Sequence, residues 1–388
     1  MQNPALNSAI QLIQTENGYA AYDPTTDKLH ELNPTASLIV ELCDGKRSVE
    51  EICAFLAPML PAGSDEGVKA WIDEGVGAGL LVPGGDPGNA HRELTAEELH
   101  KISRRLRYRD KEEIALLCQQ QATALAPNDP EMWYDLGEMN EMVGKRDEAR
   151  AAYEKYMEFK PDDAEIRHIL VALRGETPPP RMPNIALEQM YADFSRTFEK
   201  NLIEELGYKA PQQVRELIDP LLGERQNLAV LDLGCGTGLA GVQFKPRAGR
   251  LIGVDISKEM IELARARNLY DLLEVAEITG WLARCSERFE LIVCCDCLIY
   301  FGDLRQVLLP VAEILCPRGL FAFTLEKGDQ YPHRLADSGR YTHHADHVRD
   351  VAAEAKLNVA RLEEAFLRDE YGKPLTGLFV ALEKGGGS

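Results

Sequence analysis

The stretch Val230–Leu231–Asp232–Leu233–Gly234–Cys235–Gly236–Thr237–Gly238 carries the clearest chemistry in the chain. An apolar strand runs into a glycine turn, which lets backbone approach a ligand closely where the next helix begins. Asp255 closes the following strand and is placed to accept both hydroxyls of a ribose. A dinucleotide fingerprint would set its third glycine at the helix start to receive pyrophosphate. Here Asp232 stands just before the glycines, where its carboxylate repels pyrophosphate. It suits instead a cationic sulfonium ligand bearing an amino-acid tail.

Two other clusters carry ligand-type residues. Cys294–Cys295–Asp296–Cys297 lies at the end of an apolar run. In a continuous strand Cys295 and Cys297 point to one face and Cys294 to the other, so three thiolates do not converge. Zinc sites pair such a knuckle with a second one, which the sequence lacks. Buried thiols and no metal are expected. His343, His344 and His347 also resemble ligand spacing, with metal the lesser reading beside a substrate-side one.

The elements around these residues alternate strand and helix from 185 to 384, as a doubly wound α/β domain does. The strands are expected at Ala229–Leu233, Arg250–Asp255, Leu273–Ile278, Phe289–Asp296, Gly319–Leu325 and Gly377–Glu383. Amphipathic helices are expected at Lys258–Arg267 and Asp303–Leu315. Upstream, Gly175–Glu176–Thr177–Pro178–Pro179–Pro180 reads as an extended spacer within 175–184. Residues 95–174 show a helical repeat with a period of about 34 residues. Trp133, Leu136, Gly137, Ala149, Tyr153 and Pro161 occupy the positions of a tetratricopeptide pattern. Two repeats and a closing helix are too few to stand alone, so this segment should pack on its neighbours, as a rigid spacer or as a partner- or peptide-binding groove.

A turn-rich linker, Pro83–Asn89, sets off residues 1–85 as a small winged-helix-type module. A hairpin joins Gly18–Tyr22 to Lys28–Leu32. Asn33 caps a helix that opens on Pro34, and Ser48 with Glu51 forms a capping box for the next. A third helix around Val68–Val76 precedes the short strand Leu80–Val82.

The glycine string resembles motif I of class I S-adenosylmethionine-dependent methyltransferases. Met190–Phe194, Leu206–Gly207–Tyr208, Gly253–Ser257 with Met260, Tyr270–Asp271, Leu298–Leu304 and Ser338–His343 extend the likeness to a subgroup with tetratricopeptide repeats. The resemblance implies a mostly parallel seven-stranded Rossmann-like sheet and S-adenosylmethionine as cofactor, with S-adenosylhomocysteine as product. It implies that Asp232, Leu233, Gly234, Cys235, Gly236 and Gly238 contact the methionine moiety, and Asp255 the ribose. Ile256 and Met260 would flank adenine. Glu277 and Ile278 stand where the family has an Asp-Leu pair whose carboxylate takes the adenine amine; Glu277 is one methylene longer. Asp296 and Cys297 would line the methyl-facing side. His343, Tyr300 and Arg340 are the catalytic candidates, with His344, His347 and Asp303 as further bases. A carboxylate acceptor needs no base, whereas an amine, imidazole, amide or hydroxyl more often does.

Leu32–Asn33, Ala36, Ile39, Leu42–Cys43–Asp44–Gly45, Ser48, Ile52 and Gly79–Leu80–Leu81 resemble the PqqD family and related leader-peptide recognition elements. That implies binding of an extended, ribosomally made precursor peptide as an added strand on the hairpin edge. Together the two resemblances imply a methyltransferase of peptide natural-product biosynthesis. A small-molecule or general protein methyltransferase and a non-catalytic binding protein are the alternatives.

Composition narrows the partners. Asp and Glu number 63 against 43 Lys and Arg, a formal charge of −20, which disfavours nucleic-acid backbones. No apolar run reaches the roughly 18–20 residues that span a bilayer. Nine cysteines without a regular framework or secretory signal point to reduced thiols in the cytoplasm.

Overall fold

The computed structural model describes residues 3–15, 18–61, 63–84, 94–107, 111–194, 208–370 and 373–386. The linker beyond Gly84, the Leu206–Gly207 pair and the final Gly387–Ser388 lie outside the described residues. The chain separates into two compact units, Met1–Gly144 and Lys145–Ser388.

In the first unit, strands β1 (Pro4–Leu6) and β2 (Gln11–Thr15) precede the expected hairpin of β3 (Gly18–Asp23) and β4 (Lys28–Glu31). Neither β1 nor β2 was expected, since β1 is only three residues long and β2 is half polar. β2, β3 and β4 form one antiparallel sheet in that order, while β1 pairs with β5 (Leu81–Pro83). Helix α1 (Pro34–Leu42) starts where Asn33 accepts a hydrogen bond from the Ala36 N–H. Both halves of the Ser48–Glu51 capping box open α2 (Val49–Leu56). With α3 (Asp65–Gly77) they bury Leu6, Ile39, Val40, Ile52, Leu56, Ile72 and Leu81.

Helices α4 (Ala96–Leu106), α5 (Glu112–Leu125) and α6 (Pro130–Met142) complete this unit. The division therefore falls inside the helical segment 95–174. α7 (Arg146–Phe159) and α8 (Ala164–Arg174) group with the second unit. α8 ends on Gly175 in the left-handed conformation.

The second unit continues with α9 (Asn184–Phe194) and α10 (Ala210–Leu222), then alternates β6 (Leu228–Leu233), α11 (Leu239–Phe244), β7 (Ala248–Asp255) and α12 (Lys258–Ala266). β8 (Leu272–Val275), α13 (Ile278–Arg284), β9 (Phe289–Cys294), α14 (Arg305–Ile314) and β10 (Leu315–Lys327) follow. Next come the short strands β11 (His333–Leu335) and β12 (Tyr341–His343), α15 (Ala345–Glu354), β13 (Leu357–Glu370) and β14 (Lys373–Lys384).

The main sheet runs β8-β7-β6-β9-β10-β14-β13, parallel except that β14 pairs antiparallel with both its neighbours. Strict alternation divides its side chains between two cores. Leu231, Leu233, Ile292, Cys294, Phe321 and Phe323 face one layer of helices, and Val230, Leu291, Val293, Leu320 and Ala322 the other. Strand order reverses between β6 and β9, so the crevice outside their carboxyl ends is where such a sheet takes ligands.

Two strand boundaries need correction. The third strand stops at Val275 instead of Ile278, because Glu277 caps α13. The fourth stops at Cys294, and Asp296 turns the chain with φ of 54°. β13 was not expected, since its charged, half-exposed residues show no clean apolar period. The segment 175–184 is also held in place by backbone bonds. It is extended, and Gly302 and Asp303 donate to the Pro180 carbonyl at 2.9 Å, while Met182 donates to that of Tyr300 at 2.8 Å.

Candidate active site

The loop after β6 folds as its glycines permit. Gly234 has φ of 68°, in the left-handed region, and an added Cβ would sit 2.5 Å from Cys297 Sγ. The loops after β6 and β9 are thus in contact at the crossover crevice. Gly234→Ala should cost about 1–3 kcal/mol from strain and overpacking together. Thermal denaturation checks this, and adding Cys297→Ala should recover part of the loss.

Two buried carboxylates face this loop. Asp255 Oδ2 accepts the Gly236 N–H at 2.8 Å, and its Oδ1 accepts that of Ser257 at 2.9 Å. Burial raises its pKa, and the N–H groups of Ser257, Gly236 and Ile256 oppose the rise. Asp232 is 1% exposed. Its Oδ2 accepts the Tyr270 hydroxyl at 2.6 Å, while Oδ1 has no hydrogen-bond partner among the described residues. Burial pushes its pKa up to about 7, against the Tyr270 hydrogen bond and with help from the charge of Asp255. A buried, half-satisfied carboxylate is the acceptor that a cationic ligand completes. Tyr270 reaches it through a slot, since a Cβ on Gly238, Gly241 or Gly253 would meet its ring or hydroxyl.

Around the loop, Leu233, Cys235 and Met260 are buried and Ile256 is half-buried. Ile278 opens α13 with its Cδ1 at 4.0 Å from the place of a Gly234 Cβ. Glu277 is differently employed from what its motif position implied. Its Oε1 accepts from Arg181 Nη1 at 2.9 Å and Thr279 N at 2.8 Å. Its Oε2 accepts from the Thr279 hydroxyl at 2.7 Å and Gly280 N at 2.9 Å. Despite burial, these donors hold its pKa below the ordinary value. An adenine amine would have to displace one of them.

Asp296 closes the far side of the crevice. Its N–H donates to Thr324 Oγ1 at 2.7 Å, and its carboxylate takes Arg368 Nη1 at 2.8 and 2.9 Å. Arg368 also binds Glu326, which accepts Arg340 Nε at 2.7 Å, and Arg340 continues to Glu370. Tyr300 stands beside this network, its hydroxyl 2.9 Å from that of Tyr191. Burial pushes the Tyr300 pKa up, against the nearby charge of Arg340.

The three catalytic candidates separate. Tyr300 and Arg340 lie together, but His343 is wholly buried, and its Nε2–H donates to the Phe301 carbonyl at 2.8 Å. Burial, and then neighbouring His333, push its pKa down to about 3. His343 thus presents neither ring nitrogen to solvent. His344 accepts from the Asp346 N–H as the cap of α15. Cys294 and Cys297 pack in one core and Cys295 in the other, since alternation fails where β9 ends.

Sequence reasoning had not placed Arg181, Tyr191, Tyr270 or Arg368 in the site. Tyr191 and Tyr270 sit within the quoted motifs, which were the available signal. Arg181 follows three prolines, and Arg368 lies on the unexpected β13.

Residues 230–319 match the methyltransferase domain family, and residues 18–81 match the PqqD family described as coenzyme PQQ synthesis protein D. The chain is 25% identical over 221 residues to the ubiquinone biosynthesis O-methyltransferase of Bordetella avium, covering 51% of this chain and 90% of that one. It is 28% identical over 141 residues to the uncharacterized methyltransferase YcgJ of Bacillus subtilis, covering 35% and 54%. It therefore spans about half of the latter's length. Among solved structures it resembles the 1,6-didemethyltoxoflavin-N1-methyltransferase of Burkholderia thailandensis at 18% identity and a TM-score of 0.42, over 54% of this chain and 93% of that one. The chain is an S-adenosylmethionine-dependent methyltransferase that also carries a PqqD domain.

Proposed function

We propose that the chain methylates a residue of a ribosomally made precursor peptide whose leader is held by the PqqD domain. The observation that carries this reading is the open edge of β4, which pairs with β3 alone among the described residues. The same chain carries the methyltransferase domain. An extended leader adding to β4 would gain main-chain hydrogen bonds for affinity and side-chain pockets for specificity. Tethering then raises the concentration of the core peptide at the site. The helices of 95–174, as a tetratricopeptide-type spacer, would set the span of that tether.

Bound S-adenosylmethionine supplies an electrophilic methyl group on a cationic sulfur. The protein's own part is to bind and orient. Asp232 offers its unpartnered Oδ1 to the cationic methionine end. Asp255 keeps lone pairs for ribose hydroxyls beyond the two N–H groups it holds. Ile256, Met260 and Ile278 give apolar walls, and Cys297 and Asp296 bound the methyl-facing side. Tyr300 and Tyr191 crowd the acceptor, so that positioning supplies much of the rate. His343 is enclosed, Tyr300 is held protonated and Arg340 is ion-paired. An acceptor already nucleophilic at neutral pH, such as a carboxylate, fits these groups best.

The test is mass spectrometry of a candidate precursor peptide incubated with S-adenosylmethionine and the chain. A gain of one CH2 mapped to a core residue is expected. No gain on any precursor would favour a small-molecule substrate, the class that the name of the Bordetella relative suggests for that protein. Among the described residues no helix is long and apolar enough to cross a membrane, and we place this chemistry in the cytoplasm.

A further inference from the structure

We propose that His333, His343 and His347 bind a divalent transition-metal ion of the zinc class. β11 and β12 pair antiparallel with His333 directly opposite His343, and His347 lies in the first turn of α15. Their ring centroids are 5.6 to 6.0 Å apart. Each ring offers a nitrogen, and these atoms lie within 4.8 Å of one another.

Three further observations point to a ligand. Among the described residues, His333 Nδ1, His343 Nδ1 and His347 Nε2 are all buried without a hydrogen-bond partner. One such atom is tolerable, but each costs about 1–3 kcal/mol, so three together ask for a common partner. A carbonyl can only accept, so the bond to Phe301 fixes the proton of His343 on Nε2 and leaves Nδ1 a lone pair. A metal-binding imidazole is ordinarily held this way, with its second nitrogen donating to a carbonyl or carboxylate. The site is enclosed on two of its three sides: His343 is 0% and His347 3% exposed, His333 is half-buried, and exposed Tyr331 lies edge-on to His347 and Tyr341 edge-on to His333.

Three imidazoles suit zinc, copper, iron or nickel and leave a fourth position open. Zn–N bonds near 2.0–2.1 Å set tetrahedral nitrogens about 3.3 Å apart. The rings would close to that spacing by small side-chain rotations. The carboxylates of Asp303 and Asp350 act on the cluster against the charge of Arg305, so the surroundings do not exclude a cation. The ion would join the β11–β12 hairpin to α15. Through His343 and the Phe301 carbonyl it would also brace the segment that carries Tyr300, a positioning role rather than a catalytic one.

The test uses the full chain, stripped with chelator and titrated with cobalt(II), then with zinc. The expected result is one equivalent of cobalt with the visible bands of a tetrahedral, nitrogen-rich site, displaced by zinc. His333→Gln with His347→Gln should abolish the bands, and His344→Gln should keep them. Substoichiometric cobalt, bands that persist in the double variant, or thiolate-to-cobalt charge transfer would each overturn the proposal. The wild-type spectrum reports the ligand set directly, so the test stands even where the double variant fails to fold.

Discussion

Asp232→Asn is expected to weaken S-adenosylmethionine binding by about 10²–10³-fold, the cost of breaking a buried charge pair. Asparagine keeps the shape and can still accept from Tyr270, so the fold should survive. What it removes is the charge at the unpartnered Oδ1. Titration calorimetry of the two proteins measures the difference, and equal affinities would remove Asp232 from the cofactor site.

The same residue predicts a pH profile. With its ligand-free pKa near 7, Asp232 must release a proton to receive a cation in more acidic solution. Affinity should therefore fall toward tenfold per unit as pH drops below about 7, and Asp232→Asn should flatten that slope. Stability of the ligand-free protein runs the opposite way. The folded pKa exceeds the unfolded value of about 3.9, so this group's contribution is full below pH 4 and is lost as pH rises through about 7. A bound cation should reverse the trend.

Glu31→Pro should raise KM for a full precursor peptide by about 10–100-fold, with kcat at saturation retained. The Leu32 N–H donates to the Tyr19 carbonyl at 3.1 Å, so alternation along β4 turns the N–H groups of Leu29 and Glu31 away from β3. Proline at Glu31 removes an outward donor while sparing the β3–β4 ladder. Among the described residues the side-chain interaction lost is an exposed pair with Lys111, worth little. Steady-state kinetics on precursors with and without the leader separate the effects. An unchanged KM would show that the leader does not use this edge.

Local signals made the cofactor loop legible. β6 alternates between two cores, the glycine turn needs its left-handed residues, and Asp255 follows at a strand end. The caps of α1 and α2 were legible for the same reason, since each is complete within a few residues. Contacts made across the sheet were not. The tie of Asp296 to Arg368 depends on β13, whose residues Arg361, Glu363 and Glu364 mask its strand character. Glu277 misled because one residue can end a strand or cap a helix, and neighbouring Thr279 and Gly280 decide which. His343 was visible as chemistry, but only the pairing of β11 with β12 reveals that its neighbours are His333 and His347.

The backbone bonds between Pro180–Met182 and Tyr300–Gly302 have a consequence for how this chain can vary over evolutionary time. A tether can gain or lose residues freely, because loop closure depends only weakly on length. A paired segment cannot, since one inserted residue shifts every partner. Between Gly175 and Met182 the chain should accept changes of side chain but few of length. Recombination that swaps in a different upstream half should therefore succeed when the joint falls before this strap, and fail when it cuts through it.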